Sequence, residues 1–147
     1  MPKPSPRRDG REAALQFLFG HEMNRDEEAD PADLDAEMAA FWEIRNVGSD
    51  LAREFAGELA SGTVANLESI DEHLVDALEN YKLERLTVVD RNLLRLAIFE
   101  IAFSDHIPPR AAINEAIEIA KRFGTEKSPK FVNGVLDRIR KSLKPDA

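Results

Sequence analysis

VVDRNLLRLAIFEIAF, residues 88–103, spaces its apolar side chains so that they fall almost all round a helix. Such a helix always turns some apolar face to water unless other elements cover it. The stretch therefore predicts a central helix with others packed round it. Thr87, with Asp90 three residues on, is the N-cap arrangement that opens a helix. Downstream, DHIPPR leads into a helix through Ile113, Ile117 and Ala120 that stops at Gly124, a residue suited to a C-terminal cap. Ser128 and Pro129 read as N-cap and first position of a last helix carrying Val132, Val135, Leu136, Ile139 and Leu143, with a frayed end at 144–147.

Upstream, Asp50 to Tyr81 shows Leu51, Phe55, Leu59, Leu67, Ile70, Leu74 and Leu78 at three- and four-residue spacings. Gly62 and the capping-box pattern of Ser69 to Glu72 mark candidate breaks. A helix from near Pro31, capped by Asp30, buries Leu34, Met38, Phe41 and Trp42, and ends at Asn46, Gly48 and Ser49. The first helix runs from about Arg8 to Glu22, with Ala14, Leu15, Phe17 and Leu18 inward. No stretch alternates apolar and polar residues as a strand does. The expected class is all-α with about seven helices, in a single domain over 1–147.

A chain of 147 residues, 43% hydrophobic, can bury one core without staples. It has no cysteine, which excludes disulfides, thiolate metal sites and a thiol nucleophile. The absence of an 18-residue apolar run or a signal-like start leads to the expectation of a cytoplasmic protein with no membrane partner. The net charge of −8 is unevenly spread. Residues 1–11 form a basic arm of net +3, residues 12–81 carry net −15, and residues 82–147 carry net +4. Two basic ends flanking an acidic middle suggest a partner site built from the ends.

Catalytic patterns do not emerge. His21, His73 and His106 are far apart and form no metal-binding spacing, while consecutive Asp71, Glu72 and His73 splay round a helix. Glu115 and Glu118 share a face but read as surface groups paired with Lys121 or Arg122. No phosphate-cradling glycine loop or nucleophile elbow occurs. The expectation is a binding protein with no catalytic residue, metal or cofactor.

Residues 121–144 hold eight basic side chains against Glu126 and Asp137, net +6. Within them KRFGTEKSPKF places Lys121, Arg122, Lys127 and Lys130 round one short turn, with Phe123 and Phe131 interleaved. Lysines neutralise phosphates and an exposed ring stacks an unpaired base, so single-stranded RNA fits better than duplex DNA. The competing reading puts each phenylalanine in the core, and it is stronger for Phe123, just before the glycine.

The run VDRNLLRLAIFEI, the segment IPPRAAINEAIEIAKRFGTEKSPKFVNGVLDRI and the opening RRDGREAALQFLF resemble the NusB family in order and spacing. The resemblance covers nearly the whole chain and is weakest from Asn24 to Gly48. It implies an all-helical fold of two small packed bundles and a transcription antitermination factor that also serves ribosomal RNA synthesis. Its partners would be the boxA element of nascent RNA, the ribosomal protein NusE and the RNA polymerase antitermination complex. It further implies phosphate contacts by Arg7, Arg8 and Arg11, nucleotide contacts by Gln16 and Phe19, and an RNA-binding turn of Lys121, Lys127, Lys130 and Phe131. Asp90, Arg91 and Arg95 would lie towards NusE. NusB-like domains also serve RNA-modifying enzymes such as certain cytosine methyltransferases. Here the chain ends just after the NusB-like part and lacks the cysteine those enzymes use. A homodimer that hides the RNA surface is a further alternative.

Departures from the family pattern sharpen this. Asp9 and Gly10 interrupt what is an unbroken arginine cluster in many relatives, and Lys127 stands where relatives commonly carry an acid. Asn114, Asn133 and Gly134 read as structural, the amides bonding to backbone and the glycine allowing close packing, so that Gly134→Leu should damage folding. Lys127→Glu should weaken RNA binding and flatten its salt dependence by about one ion's worth. An unchanged slope in a salt titration would contradict that.

Overall fold

Thr87 caps the central helix as expected: its Oγ1 accepts from the Asp90 N–H at 3.1 Å in the computed structural model, which describes residues 5–24 and 33–145. The described helices are α1 Pro6–Met23, α2 Leu34–Ile44, α3 Asp50–Ala65, α4 Leu67–Leu78, α5 Val88–Phe103, α6 Pro109–Phe123 and α7 Ser128–Leu143, with a 3-10 turn at Leu83–Arg85. Among the described residues there is no strand, and no helix is long and apolar enough to cross a membrane. The chain divides into two compact units, Met1–Gly62 and Thr63–Ala147.

In the second unit α5 packs against α4, α6 and α7. Leu93, Leu94, Leu96, Ile98 and Ile101 are buried on it, as its all-round apolar pattern demands. The surrounding helices answer with Ile70, Leu74 and Leu78, with Ala116 and Ile119, and with Val132, Val135, Leu136 and Ile139. α5 also buries Asn92 and Arg95. Asn92 Nδ2 donates to the Val88 carbonyl at 3.0 Å. The Arg95 guanidinium grips both carboxylate oxygens of Asp71 on α4, at 2.8 and 2.9 Å. A two-pronged pair of this kind fixes the angle between two helices as well as their spacing.

The first unit joins α1 to its neighbours by two different contacts. Phe17 sits against Phe41 and Trp42 of α2, with ring centroids 5.6 and 5.9 Å apart. Against α3 the contact depends on Gly10, where a Cβ would lie 2.9 Å from the Ala52 carbonyl oxygen and 2.9 Å from Phe55 Cδ2. The buried stripe of α3 is correspondingly small, with Ala52, Ala56 and Ala60 beside Leu59. Leu51, expected on that stripe, is instead 64% exposed. Alanines let the two backbones approach closely, and a leucine would hold them apart.

Several boundaries differ from the sequence reading for local reasons. α1 begins at Pro6 because Ser5 Oγ accepts from the Arg8 N–H at 3.1 Å, making Ser5 the cap and proline the first helical residue. The basic stretch from Arg7 to Arg11 is thus helix. The break in the long third segment falls at Asn66, between α3 and α4. The expected cap at Asp30 and start at Pro31 lie outside the described residues, as do 146 and 147 of the expected frayed end. Gly124 does end α6, but with φ −92° it needs no left-handed backbone. Its Cβ would instead stand 2.5 Å from Ser128 Oγ. That hydroxyl accepts from the Thr125 N–H at 2.9 Å, so Ser128 braces the turn rather than capping α7, which begins at Ser128 itself.

Gly134 does not serve close packing: it is exposed, and a Cβ there would approach only Arg138 Nη2, at 4.0 Å. Asn114 and Asn133 are exposed too, so neither amide answers a buried backbone need. Gly10 and Gly134, both within helices, therefore make opposite predictions in thermal denaturation. Gly134→Ala should stabilise the protein by roughly 0.5–1 kcal/mol, the ordinary cost of glycine in a helix. Gly10→Ala should destabilise it by roughly 1–3 kcal/mol through overpacking. Equal effects at the two positions would contradict the packing described.

Candidate nucleic-acid interface

In the unit Thr63–Ala147, α6 ends and α7 begins at the basic turn. Its net charge is less open than the sequence suggests. Lys121 Nζ donates to Glu118 Oε1 at 2.9 Å, and Arg138 lies 3.2 Å from Glu79. Arg140 and Lys141 both contact Asp137 at 3.0 Å. The Lys141 bond first, then that of Arg140, holds the Asp137 carboxyl below the usual carboxylate range, so it stays ionised beside them. Lys127 and Lys130 are exposed, and among the described residues no carboxylate pairs with either. Within residues 121–144 the lysines of the turn therefore remain available to a phosphate, and exposed Lys82 and Arg85, close to Tyr81 in sequence, add to them.

Beside those lysines stands an aromatic pair. Phe131, half-buried in the first turns of α7, meets Tyr81 edge to face with centroids 5.5 Å apart and planes at 72°. Tyr81 is 62% exposed. It lies between α4 and the 3-10 turn, far from Phe131 in sequence, at a position where the sequence marks only the end of a helical segment. No local pattern links the two positions; only the packing of α4 and α7 does. Phe123 is half-buried under Arg122, whose guanidinium carbon is 5.1 Å from its ring centroid.

In the unit Met1–Gly62 the arginines of α1 divide. Arg7 is exposed and Arg8 half-buried, whereas Arg11 is only 5% exposed. Arg7 and Arg11 lie over the Phe55 ring of α3, 6.0 and 5.2 Å from its centroid. One aromatic ring thus gathers two cations, at the upper range of useful cation–π distance. In the sequence Phe55 shows only the spacing of an inward helical residue. Asp9 and Gly10 have structural duties here. Asp9 pairs with Arg45 at 2.9 Å and accepts from the Gly48 N–H at 2.8 Å, tying the α2–α3 link to α1. Gln16 Oε1 accepts from Arg45 Nε at 2.8 Å, so that oxygen serves the same tie. Phe19 is 40% exposed.

The opening of α5 is mostly committed to the fold. Arg91 Nη1 donates to the Leu83 and Leu86 carbonyls at 3.3 and 2.9 Å, stapling the 3-10 turn, and Arg95 holds Asp71. Asp90 differs. It is buried, and among the described residues its Oδ1 has no hydrogen-bond partner.

The NusB family model matches residues 8–141. The transcription antitermination protein NusB of Desulfosudis oleivorans is 46% identical over 93% of this chain and 86% of its own length. That of Desulfitobacterium hafniense strain DCB-2 is 47% identical over 93% and 89%. Among solved structures, T. maritima NusB superposes with a TM-score of 0.78 at 45% identity, over 96% of this chain and 93% of that one. A structure of antitermination factors NusB and NusE in complex with double-stranded RNA gives 0.80 at 28% identity, over 93% and 97%. With a family match from Arg8 to Lys141 and an all-helical architecture shared with solved members, the chain belongs to the NusB family.

Proposed function

We propose that this protein is a transcription antitermination factor that binds boxA-type RNA together with NusE and joins the RNA polymerase complex that reads through terminators, including during ribosomal RNA synthesis. It works in the cytoplasm, by binding alone, without catalysis. The observation that carries this reading is the exposed patch in which Lys127 and Lys130 stand beside the Tyr81–Phe131 pair. The lysines offer point charges to backbone phosphates, and the rings offer surfaces to unstacked bases. Neither contact requires a fixed base sequence, so the turn supplies affinity and register more than readout.

On the other unit, Arg7 and Arg8 add phosphate contacts and Phe19 an exposed ring. Arg11, more deeply set, shares the Phe55 ring with Arg7 and helps hold it in place, and Gln16 fixes the neighbouring link. Asp90 fits the protein partner. Its Oδ1 is sealed from solvent, so Asp90 would serve the NusE side through the position of the start of α5 and not by a direct bond from that oxygen. Arg91 and Arg95 serve that surface by fixing the loop and helix that carry Asp90.

Fluorescence anisotropy with a labelled boxA-type RNA tests the reading, with and without NusE and across salt concentrations. Affinity should rise with NusE and fall linearly with the logarithm of salt. Phe131→Ala should weaken binding by roughly 1–3 kcal/mol, and annealing the RNA to its complement should weaken it as well. No gain from NusE would overturn the functional reading. Equal binding of single strand and duplex would overturn base stacking on Phe131.

A further inference from the structure

Among the described residues Glu79 is the one non-glycine with positive φ, at φ 54° and ψ −88°. This is the first corner of a type II′-like β-turn, a backbone region that side chains with a Cβ rarely adopt. Strain of this kind persists only where the surroundings over-determine it, and it gathers at functional sites. Glu79 ends α4, and the chain turns sharply there, the Tyr81 N–H donating to the Leu78 carbonyl at 3.1 Å. Leu78, at the base of the turn, is buried in the core.

The strained turn is attached to α7 at two points. Glu79 Oε2 lies 3.2 Å from Arg138 Nη1, and the Tyr81 ring meets Phe131 edge-on. Phe131 and Arg138 are seven residues apart on α7, two helical turns along one face. The short segment from Glu79 to Tyr81 therefore lies along that face with its carboxylate at one end and its ring at the other. An exposed ion pair contributes little to stability by itself. Its geometric effect here is to limit where Tyr81 can go.

We propose that Glu79 is a positioning residue for RNA binding: its strained turn, held by Arg138, sets Tyr81 edge-on against Phe131 and so shapes the surface on which a base stacks. The inference rests on the reading of the Lys127–Phe131 turn as an RNA surface. Glycine adopts this backbone without penalty and leaves the segment free to move. It also removes a negative charge close to the proposed RNA path, which by electrostatics alone would strengthen binding. Stability, charge and positioning thus predict different results for one substitution.

The test measures thermal stability and boxA-type RNA affinity, in the presence of NusE, for the full chain carrying Glu79→Gly, Tyr81→Ala, Phe131→Ala or the Glu79→Gly/Tyr81→Ala pair. Glu79→Gly should keep or raise Tm while weakening RNA binding by roughly three- to tenfold, a fraction of what a stacked base contributes. The pair should bind no worse than Tyr81→Ala alone, because Glu79 acts through Tyr81. A loss with Phe131→Ala but none with Glu79→Gly, or additive losses in the pair, would overturn the role of Glu79 and leave the RNA surface standing. No loss with Phe131→Ala would overturn the RNA surface itself, and the role of Glu79 with it.

Discussion

The burial of α5 is the constraint on which the second unit depends. A helix apolar on nearly every face has no stable place except among other helices, and α4, α6 and α7 each supply part of its cover. Hydrophobic burial is indifferent to direction, so it does not by itself set the angles at which the covering helices lie. Polar groups do that. Arg95 on α5 grips Asp71 on α4 with two hydrogen bonds, and Arg91 staples the 3-10 turn that follows Tyr81. The placement of Tyr81 beside Phe131, and with it the candidate RNA surface, follows from these few directional bonds laid over a non-directional core.

An acidic protein can bind RNA because charge acts locally. Salt water screens charges beyond about 8 Å at physiological ionic strength, so the net −8 spread over the chain matters less than the turn between α6 and α7. There the basic side chains sort themselves. Those on the body of α7 are occupied by Asp137 and Glu79, and Lys121 by Glu118. Lys127 and Lys130 stand at the turn without such partners among the described residues. Intramolecular ion pairs thereby narrow a broad basic stretch to a site of a size suited to a few phosphates. In the other unit Phe55 gathers Arg7 and Arg11 in a comparable way, through a ring in place of carboxylates.

Much of the fold was legible because long amphipathic periods are local signals. The central helix, its Thr87 cap, the stop at Gly124 and the inward residues of α1 and α7 all follow from spacing within one or two turns. What was not legible depends on contacts between distant residues. Leu51 looks like core until alanines and Gly10 bring α1 and α3 close by another face. Gly134 looks like a packing residue, yet nothing packs on it. Asp9 looks like a charge that dilutes an arginine cluster, whereas it holds Arg45 and the Gly48 N–H. The basic turn was visible as composition. Tyr81 was not, because a lone tyrosine after a helix acquires meaning only when the fold places Phe131 beside it.

The central claim is that RNA lies across the start of α7, between the lysines of the turn and the Tyr81–Phe131 pair. Photocrosslinking of a boxA-type RNA carrying 4-thiouridine, in the complex with NusE and with adducts mapped by mass spectrometry, tests it most directly. The account predicts adducts on Tyr81 and Phe131 that are lost when unlabelled boxA RNA competes. Adducts confined to other surfaces, with Tyr81 and Phe131 unmodified, would contradict it.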